Sequence, residues 1–264
     1  MNQQAIQNLL SPEALAVIDD IQLFDEIDST NAESLRQIQA GKTGNRLILA
    51  VSQTAGRGRR GREWLSLSGA GIYLSFTRQF NLEPNALQGL SLLTAISLQS
   101  ALSDLGISGL QLKWPNDVLH EKKKLAGILL ELQDSGQAVY VVFGVGVNIS
   151  LPEKARQEIG RPVTDIAALI DPVADINAIV ASLMNTLCAN LALYEKDGFA
   201  PFQQTWNQLD CYKGSDIVIE SGENRSLGKS LGVDASGALL MQTASGQRRI
   251  SGGEIFPSLR EASD

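Results

Sequence analysis

Two long apolar segments constrain the fold of this chain more than any other feature of its sequence. The segment KLAGILLELQ (residues 124–133) and the segment AVYVVFGVGVNIS (residues 138–150) are separated only by DSGQ. Continuous apolar runs of this length are typical of strands that are buried on both faces. The short connection predicts that the two strands pair as a hairpin inside a layered domain.

Further strands and helices are predicted on both sides of this hairpin. Apolar runs bounded by turn residues predict strands at residues 21–27, 46–53 and 71–80, and residues 110–120 predict a strand that runs into a Pro-Asn-Asp turn. Apolar residues at helical spacing predict helices at residues 89–106 and 176–198, and polar caps predict helix starts at Ser11 and at Ser29 or Thr30. After about residue 209 the sequence consists of short strands separated by Gly, Ser, Asn and Asp turns, which is typical of a small β-barrel. We therefore expect one domain at residues 1–210 and a barrel domain at residues 211–264.

The composition excludes several classes of protein. The chain has 264 residues, a net charge of −7 and one histidine, which argues against nucleic-acid binding through overall charge and against sites that need several histidines. Cys188 and Cys211 have no metal-binding spacing, so two reduced thiols are expected. The first 20 residues do not resemble a signal peptide, and no apolar run reaches the ~18 residues of a membrane span. These features predict a cytoplasmic protein without membrane contact.

Residues 56–62 form an unusual arginine–glycine segment, GRGRRGR. Arginine presents a planar fork of donors that matches carboxylate and phosphate groups, and glycine lets the backbone approach a ligand closely. A basic surface tail that binds nucleic acid, or nothing, is the alternative interpretation. The position of the segment between two predicted buried strands of an acidic protein favours an anion-binding loop.

Two further segments carry lysines next to predicted strands. KWPND (residues 113–117) places Lys113 at a strand end, as a compact charge suited to a phosphate oxygen. Asp117 in the same segment is suited to hold a magnesium ion, or to orient the lysine or a ribose. Lys124 ends a lysine run before a strand that is predicted to be buried, and a solvated hairpin end is the alternative for this run.

Gly144 and Gly146 in GVGVNIS are a weaker signal. The third glycine of a dinucleotide-binding fingerprint is missing, so a strand with room for a close neighbour is the alternative to a ligand loop. The sequence also has no Walker A loop, and ATP would have to be bound in a different way.

Taken together, five segments resemble the biotin–protein ligase family in order and approximate spacing. They are DSTN (28–31), QTAGRGRRGREW (53–64), KWPNDV (113–118), KKLAGILLE (123–131) and GVGVNI (144–149), and GGEI (252–255) fits the small terminal domain of the family. The resemblance implies an α+β fold, in which a mixed β-sheet flanked by helices, as in class II aminoacyl-tRNA synthetases and lipoate ligases, is followed by a small SH3-like β-barrel. Only about 23 residues precede the first motif, so we expect the ligase-only class without an N-terminal DNA-binding domain, and no DNA binding.

The resemblance also implies an activity. Members of the family activate biotin with ATP to biotinyl-5′-AMP and then transfer biotin to a lysine of a biotin carboxyl carrier protein, with Mg2+ as cofactor. The biotin-binding residues implied for this chain are Ser29, Thr30, Asn31, Gln53, Gly56, Arg57, Gly58, Arg59, Lys124 and Gly127. The ATP-binding residues implied are Arg59, Arg62, Trp64, Lys113, Asn116, Asp117, Asn148 and Arg260. Lys113 and Arg59 are the expected catalytic residues, Asp117 is the candidate magnesium ligand, and a homodimer is possible.

Two departures from the family pattern affect the terminal domain. The spacing between GGEI and Arg260 is longer than usual, which weakens the assignment of Arg260. Ala235 and Ser236 stand where some members carry a basic residue, so Arg248 or Arg249 would have to replace it, or this domain contributes less to ATP binding.

The expected chemistry follows from charge. A biotin carboxylate must approach the α-phosphate of ATP, and the repulsion of two anions is the main obstacle, so Arg59, Arg62, Lys113 and magnesium would screen it. A lipoate–protein ligase and a nucleic-acid-binding module that uses GRGRRGR are the competing hypotheses. The arginine–glycine segment with KWPND favours biotin over lipoate, and the net charge of −7 disfavours nucleic acid.

Overall fold

The computed structural model describes residues 1–81, 87–134, 138–221, 224–251 and 254–257. Over these residues the chain forms α-helices at Gln3–Leu9 (α1), Pro12–Val17 (α2), Thr30–Gln39 (α3), Leu90–Asp104 (α4), Glu153–Ile159 (α5), Ile176–Asp197 (α6) and Gln203–Leu209 (α7). It forms β-strands at Asp20–Ile27 (β1), Arg46–Gln53 (β2), Gly71–Phe80 (β3), Leu110–Lys113 (β4), Asp117–His120 (β5), Lys123–Asp134 (β6), Val139–Asn148 (β7), Asp216–Ser221 (β8), Asn224–Val233 (β9), Leu239–Thr243 (β10), Gly246–Ile250 (β11) and Glu254–Pro257 (β12).

The pairing predicted for the two central strands is confirmed. β6 and β7 run antiparallel, with Ala126 opposite Val147, and residues 135–137 of the connection lie outside the described residues. The two strands belong to a seven-stranded sheet with the order β1-β2-β3-β7-β6-β5-β4. β1 and β2 are parallel, whereas the other neighbouring strands are antiparallel, so the sheet is mixed as expected.

Strand β3 shows how the sheet separates the hydrophobic core from a polar face. Leu74 and Phe76 belong to the main core, while Ser75 between them contacts Thr30 at the start of α3. Helices α4 and α6 pack against each other, with α4 also on β4 to β6, whereas α3 packs on β2, β3 and β7. Neighbouring side chains of a strand point to opposite faces of the sheet, so Ser75 and the pair Leu74 and Phe76 mark its two faces. Helices therefore cover both faces of the sheet. The predicted α+β class is confirmed.

Helix α6 is the longest helix of the described residues. By length and composition alone it would be able to cross a membrane. Its buried residues, among them Leu183 and Leu187, belong instead to the main core, where α6 packs against α1, α2 and α4.

The helix starts are set by polar caps. Ser29 caps α3 by accepting a hydrogen bond from Ala32 N at 3.5 Å, and Ser11 caps α2 by accepting from Ala14 N at 3.2 Å. The sequence prediction missed α1, which precedes Ser11, and α7, because neither short segment has enough apolar residues to show a helical period.

The C-terminal strands form a second, antiparallel sheet with the order β11-β10-β9-β8-β12. Trp114, almost completely buried, joins the two sheets by donating from Nε1 to Gly237 O at 3.1 Å. A backbone hydrogen bond from Cys211 N to Leu112 O, 3.0 Å long, adds a second link. The SH3-like closure and the boundary at residue 210 stay predictions.

Candidate active site

A cavity lies between the face of the large sheet that α3 covers and the arginine–glycine segment; we call it the first cavity. The predicted residues that line it are Ser29, Thr30, Asn31, Gln53, Arg57, Gly58, Arg59, Arg62, Trp64, Asn116, Asp117, Lys124 and Gly127. The other lining residues were not among the predicted site residues, although Gly144 and Gly146 had been noted as a weaker signal; they are Glu63, Tyr73, Leu74, Ile128, Leu129, Gly144, Val145, Gly146 and Arg161. Segments that are far apart in sequence therefore meet around one cavity.

The inner end of the first cavity is a set of short polar side chains from α3 and the strands below it. Thr30 N donates to Gln53 Oε1 at 2.8 Å, and Gln53 Nε2 donates to Ser66 Oγ at 2.7 Å. Ser75 Oγ lies 2.7 Å from Thr30 Oγ1 and 2.5 Å from Asn31 Oδ1. These side chains combine donors and acceptors within a few ångströms, which suits a small polar ring.

Ser75 and Ser66 were missed by the sequence prediction. Both are buried, and each bonds to a predicted residue rather than standing in a motif of its own. A single serine that alternates with apolar residues in a strand carries no signal in one sequence, because only the pairing with α3 shows its purpose.

Asn31 is fixed on all sides. Its Nδ2 donates to Glu131 Oε2 at 2.8 Å and to Leu129 O at 3.3 Å, while its Oδ1 faces Ser75. A Cβ atom added to Gly144 would lie 2.2 Å from Asn31 Oδ1. Gly144 is therefore required by close approach, and the interpretation of GVG as a strand with room for a neighbour is the one that fits.

The indole of Trp64 lies against the backbone of the two central strands. An added Cβ would lie 2.4 Å from Trp64 Cε2 at Gly146 and 2.9 Å from Trp64 Cζ3 at Gly127. Trp64 Nε1 is buried and has no hydrogen-bond partner among the described residues. Because the ring rests on this glycine floor, the first cavity has a volume of only about 70 Å³.

The arginine–glycine segment is an ordered hairpin and not a solvated tail. Gly58 N donates to Arg62 O at 2.7 Å, and Trp64 N donates to Gly56 O at 2.9 Å. Gly56 is buried, and a Cβ added there would lie 2.3 Å from Trp64 O, so this glycine shapes the hairpin instead of lining the first cavity. The backbone reverses direction at Arg60, whose φ of 58° lies in the left-handed region.

The arginines of this hairpin reach three different parts of the molecule. Arg57 Nη2 lies 3.2 Å from Glu131 Oε1 on β6. Arg59 Nη1 donates to Asn116 Oδ1 at 3.2 Å, in the turn between β4 and β5. Arg60 Nη2 donates to the backbone oxygen of Glu220 in β8 at 2.8 Å, which connects the hairpin with the second sheet. The hairpin is thus held at the mouth of the first cavity from several sides.

Lys124 and Asp117 form a largely but not fully buried ion pair, 2.5 Å from Nζ to Oδ1, at the edge of the cavity. The ammonium also lies 5.3 Å from the centroid of the Trp64 ring, which is within cation–π range. Burial lowers the pKa of Lys124 below the usual lysine value, and the opposing effect of Asp117 does not restore it. Lys124 is therefore a core residue of the site and not a solvated hairpin end.

Lys113 does not line the first cavity. Its Nζ lies 5.7 Å from the centroid of the Tyr212 ring, on the side of the second sheet. Its positive charge still acts on Lys124, whose pKa it lowers further after burial and other neighbouring charges. The catalytic role of Lys113 stays a prediction, and this geometry supports an electrostatic contribution from a distance.

A second cavity, with a volume of about 400 Å³, adjoins the first. It is lined by Arg62, Glu63, Trp64, Leu65, Lys124, Asn148, Glu158, Ile159, Gly160, Arg161 and Val163. Asn148 forms part of its wall and donates from Nδ2 to Thr164 O at 3.0 Å, which ties β7 to the loop after α5. The predicted residue Arg260 lies outside the described residues.

The charge around the two cavities is opposite to that of the whole chain. Among the residues that line both cavities are three cations, Arg62, Lys124 and Arg161, and one carboxylate, that of Glu63; one further carboxylate lines each cavity, Asp117 in the first and Glu158 in the second. The chain as a whole has a net charge of −7. Clefts lined by one sign of charge concentrate the opposite sign, so this junction attracts anions although the chain is acidic.

The comparisons with known proteins agree with this geometry. The model of the biotin/lipoate A/B protein ligase family matches residues 23–148, and the model of the biotin protein ligase C-terminal domain matches residues 214–256. The bifunctional ligase/repressor BirA of Escherichia coli is 36% identical over 263 residues, which cover 98% of this chain and 80% of the relative. The biotin–[acetyl-CoA-carboxylase] ligase of Paracoccus denitrificans is 35% identical, and the match covers 87% of this chain and 97% of the relative. The structure of the Aquifex aeolicus biotin protein ligase in complex with biotin and ATP is similar with a TM-score of 0.76 and 28% identity, over 90% of this chain and 98% of that one.

Proposed function

This chain belongs to the biotin protein ligase family, and we propose that its two adjoining cavities bind biotin and ATP for the two half-reactions of biotin transfer. Biotin is activated with ATP to biotinyl-5′-AMP and is then transferred to a lysine of a carrier protein. The observation that carries this proposal is the junction at which a small polar cavity and a larger cavity share three cations. Two anionic substrates that enter from opposite sides would meet there.

The first cavity suits the ureido ring of biotin. A ureido ring has two N–H donors and one carbonyl acceptor, and the side chains of Thr30, Asn31 and Gln53, with Ser75 bonded behind the first two, offer both kinds of partner. A lipoyl group has no such polar ring, so this set of residues favours biotin over lipoate. Because the ring of Trp64 occupies the glycine floor, biotin binding requires the indole to lift and pack on the ligand instead.

The second cavity suits the nucleotide. Its volume of about 400 Å³ falls within the range of ~300–1,000 Å³ that is typical of ligand sites. Apolar side chains such as Ile159 and Val163 can cover a base, while Arg62 and Arg161 face the junction where the phosphates would lie. The contact of Arg260 with ATP stays a prediction.

The residues at the junction act by charge. The carboxylate of biotin is already ionised and needs no general base, so the cations have to offset the repulsion between the carboxylate and the α-phosphate. Lys124 is held for this purpose by Asp117, at 2.5 Å, and Arg59 by Asn116, at 3.2 Å. Such fixed groups stabilise developing charge without having to reorganise.

A magnesium ion would enter with the triphosphate rather than occupy a site built by the protein. The described residues contain no group of three or more His, Cys, Asp or Glu that could hold a metal. Magnesium usually keeps its waters and binds through one or two carboxylates and the substrate phosphates, and Asp117 and Glu63 could supply these. Since Asp117 already pairs with Lys124, the geometry favours its role in orienting a lysine, and the metal role stays a prediction.

The acceptor is a second protein. The name of the Paracoccus relative identifies acetyl-CoA carboxylase as the acceptor of that ligase. We extend this to a biotin carboxyl carrier domain as the acceptor of the present chain. A homodimer and a cytoplasmic location stay predictions.

One experiment tests the activity directly. The purified chain is incubated with ATP, magnesium and either biotin or lipoate, and pyrophosphate release is measured; biotin transfer to a carrier domain is then followed by mass spectrometry. We expect pyrophosphate and a biotinylated carrier lysine with biotin, and neither with lipoate. Activation of lipoate in place of biotin would overturn the proposal.

A further inference from the structure

Arg161 is the cation at the junction that none of the sequence motifs contains. It lies in the loop after α5 and lines both cavities, together with Arg62 and Lys124. Its side chain is exposed, and among the described residues it forms no ion pair. A guanidinium group that faces two cavities without a carboxylate partner is available to an anion.

The backbone next to Arg161 is tied to the strand that carries Lys124. Lys124 N donates to Pro162 O at 3.0 Å, and Thr164 N donates to Lys124 O at 3.0 Å. These two hydrogen bonds form a parallel bridge between Lys124 and Val163. The position of Arg161 relative to Lys124 is therefore set by main-chain hydrogen bonds.

The loop is also fixed by a buried carboxylate. Asp165 is almost completely buried and accepts from Leu151 N at 2.7 Å and from Ala168 N at 3.1 Å. The guanidinium of Arg156 on α5 pairs with the same carboxylate. Asp165, at the end of the loop, is thus tied to α5 and to Leu151, which precedes that helix, and Arg161 projects from a braced segment rather than from a free one.

The charges of Arg161 and Lys124 act on each other. Burial lowers the pKa of Lys124, Asp117 raises it, and the positive charge of Arg161 lowers it again. Two cations within electrostatic reach repel each other, and an anion bound between them converts this repulsion into attraction. The arrangement is suited to a phosphate group at the junction.

We propose that Arg161 is a further catalytic residue, which contacts the α-phosphate of ATP during biotin activation and the phosphate of biotinyl-5′-AMP afterwards. This inference rests on the proposed function. In the step concerned, a carboxylate oxygen of biotin forms a bond to the α-phosphorus while the bond from that phosphorus to pyrophosphate breaks. The electron pair leaves with pyrophosphate, and no proton is transferred, so Arg161 acts only by hydrogen bonds and charge.

The test compares three variants of the full chain. Arg161→Gln removes the charge, and Arg161→Lys keeps the charge but not the planar set of guanidinium donors. Lys154→Gln removes an exposed charge from the nearby α5, outside both cavities. We expect Arg161→Gln to lower kcat/KM for ATP in adenylate formation about 100-fold, as for the loss of one oxyanion donor. Arg161→Lys should have a kcat/KM for ATP about 10-fold higher than that of Arg161→Gln. Lys154→Gln should behave like the unsubstituted chain.

Two further readouts decide which phosphate is contacted. Contact with the α-phosphate predicts that biotinyl-5′-AMP dissociates faster from Arg161→Gln, while the affinity for biotin, measured by calorimetry, is nearly unchanged. A higher KM for ATP with unchanged adenylate dissociation would overturn the proposal, because it would place Arg161 on the leaving pyrophosphate. Unchanged kinetics in Arg161→Gln would overturn it as well. If the unsubstituted chain releases no pyrophosphate from biotin and ATP, the proposed function itself fails.

Discussion

The two cavities of this protein are built in opposite ways. The first is walled by strands of the large sheet and by α3, and its polar side chains, such as Asn31 and Gln53, are already bonded to each other. The second is walled mainly by the end of α5 with the loop that follows it and by residues 62–65, and it has several times the volume, about 400 Å³ against about 70 Å³. The first cavity is therefore set by close packing, whereas the shape of the second depends on how one loop is anchored.

This difference separates two kinds of specificity. A rigid site in which donors and acceptors are fixed rejects a ligand that leaves them unpaired, because an unpaired buried polar group costs about 1–3 kcal/mol. A loop-built site adapts more easily and relies on charge at a few points. Substitutions in the strand-built cavity should therefore affect fold stability and biotin binding together, while those at the junction should affect the chemical step.

The largest effect is expected for Gly144→Ala in the strand-built cavity. The new Cβ would lie 2.2 Å from Asn31 Oδ1, and Asn31 cannot move without losing its bonds to Glu131 and Ser75. We expect a loss of about 1–3 kcal/mol in the free energy of unfolding, as for an overpacked core. Biotin affinity should fall at least about 100-fold, since a shift of ~1 Å in a positioned group has effects of this size.

Chemical denaturation and biotin calorimetry check this prediction, and a double variant provides its control. In Gly144→Ala with Asn31→Ala the clash is gone, so most of the stability should return while biotin affinity stays low. Normal biotin affinity in the single variant would show that Asn31 is not held against the strand. The first cavity would then not be the rigid, closely packed site that distinguishes it from the second.

Lys124→Met, on the boundary between the cavities, is expected to have the next largest effect. It keeps an unbranched side chain, one atom shorter, but leaves the carboxylate of Asp117, 2.5 Å from the ammonium, without its partner. Adenylate formation should slow about 10²–10³-fold, as for the loss of a preorganised charge at the reacting group. Pyrophosphate exchange measures this, and Lys123→Met, an exposed neighbour outside both cavities, is the matched control.

The lowered pKa of Lys124 adds a pH dependence to the same prediction. Since burial disfavours the charged form, the ammonium loses its proton at a lower pH than an ordinary lysine does. The rate of adenylate formation should therefore decline on the alkaline side before free lysine titrates. A rate that stays constant up to the usual pKa of lysine would contradict the assignment of the charge to Lys124.

The elements around the strand-built cavity were largely predictable from local sequence patterns, whereas most of its ligand-binding residues were predicted through the family resemblance. The strands predicted at residues 46–53 and 71–80 are β2 and β3 without a shift of a residue, because apolar runs and turn residues mark both ends. The Ser29 cap followed from the helix-start pattern. The arginine–glycine segment was recognised by its composition, and the residues in and next to these elements meet at the first cavity.

The loop-built cavity was predictable only in part. Arg161 stands in no motif, and it reaches the site because its loop forms a bridge with Lys124 and is braced by Asp165. These contacts join residues that are distant in sequence, so no local pattern reveals them. The placement of Lys113 next to Tyr212 was missed for the same reason, because the second sheet had to be positioned first.

Arg57→Gly should have an intermediate effect, on retention of the intermediate rather than on its formation. Arg57 is about half exposed and pairs with Glu131 at 3.2 Å, so it is available to a ligand anion at little cost. We expect biotinyl-5′-AMP to dissociate about 10-fold faster, which corresponds to ~1.4 kcal/mol. Glu131→Gln, which removes the ion pair while its amide oxygen can still accept from Asn31, should change the dissociation rate less than about 5-fold. Equal effects in both variants would show that Arg57 acts through Glu131 and not on the ligand.

The smallest effect is expected for Lys113→Met. This variant tests whether Lys113 belongs to the active site. The sequence predicts a catalytic lysine here, but Nζ lies 5.7 Å from the centroid of the Tyr212 ring, and Lys113 lines neither the first nor the second cavity. A charge outside both cavities that acts through a partly screened medium should change adenylate formation less than about 10-fold. Pyrophosphate exchange, run beside Lys124→Met, measures the ratio of the two losses. If the losses are equal, Lys113 must reach the phosphates when ATP binds, and the turn between β4 and β5 then belongs to the adaptable, loop-built part of the site.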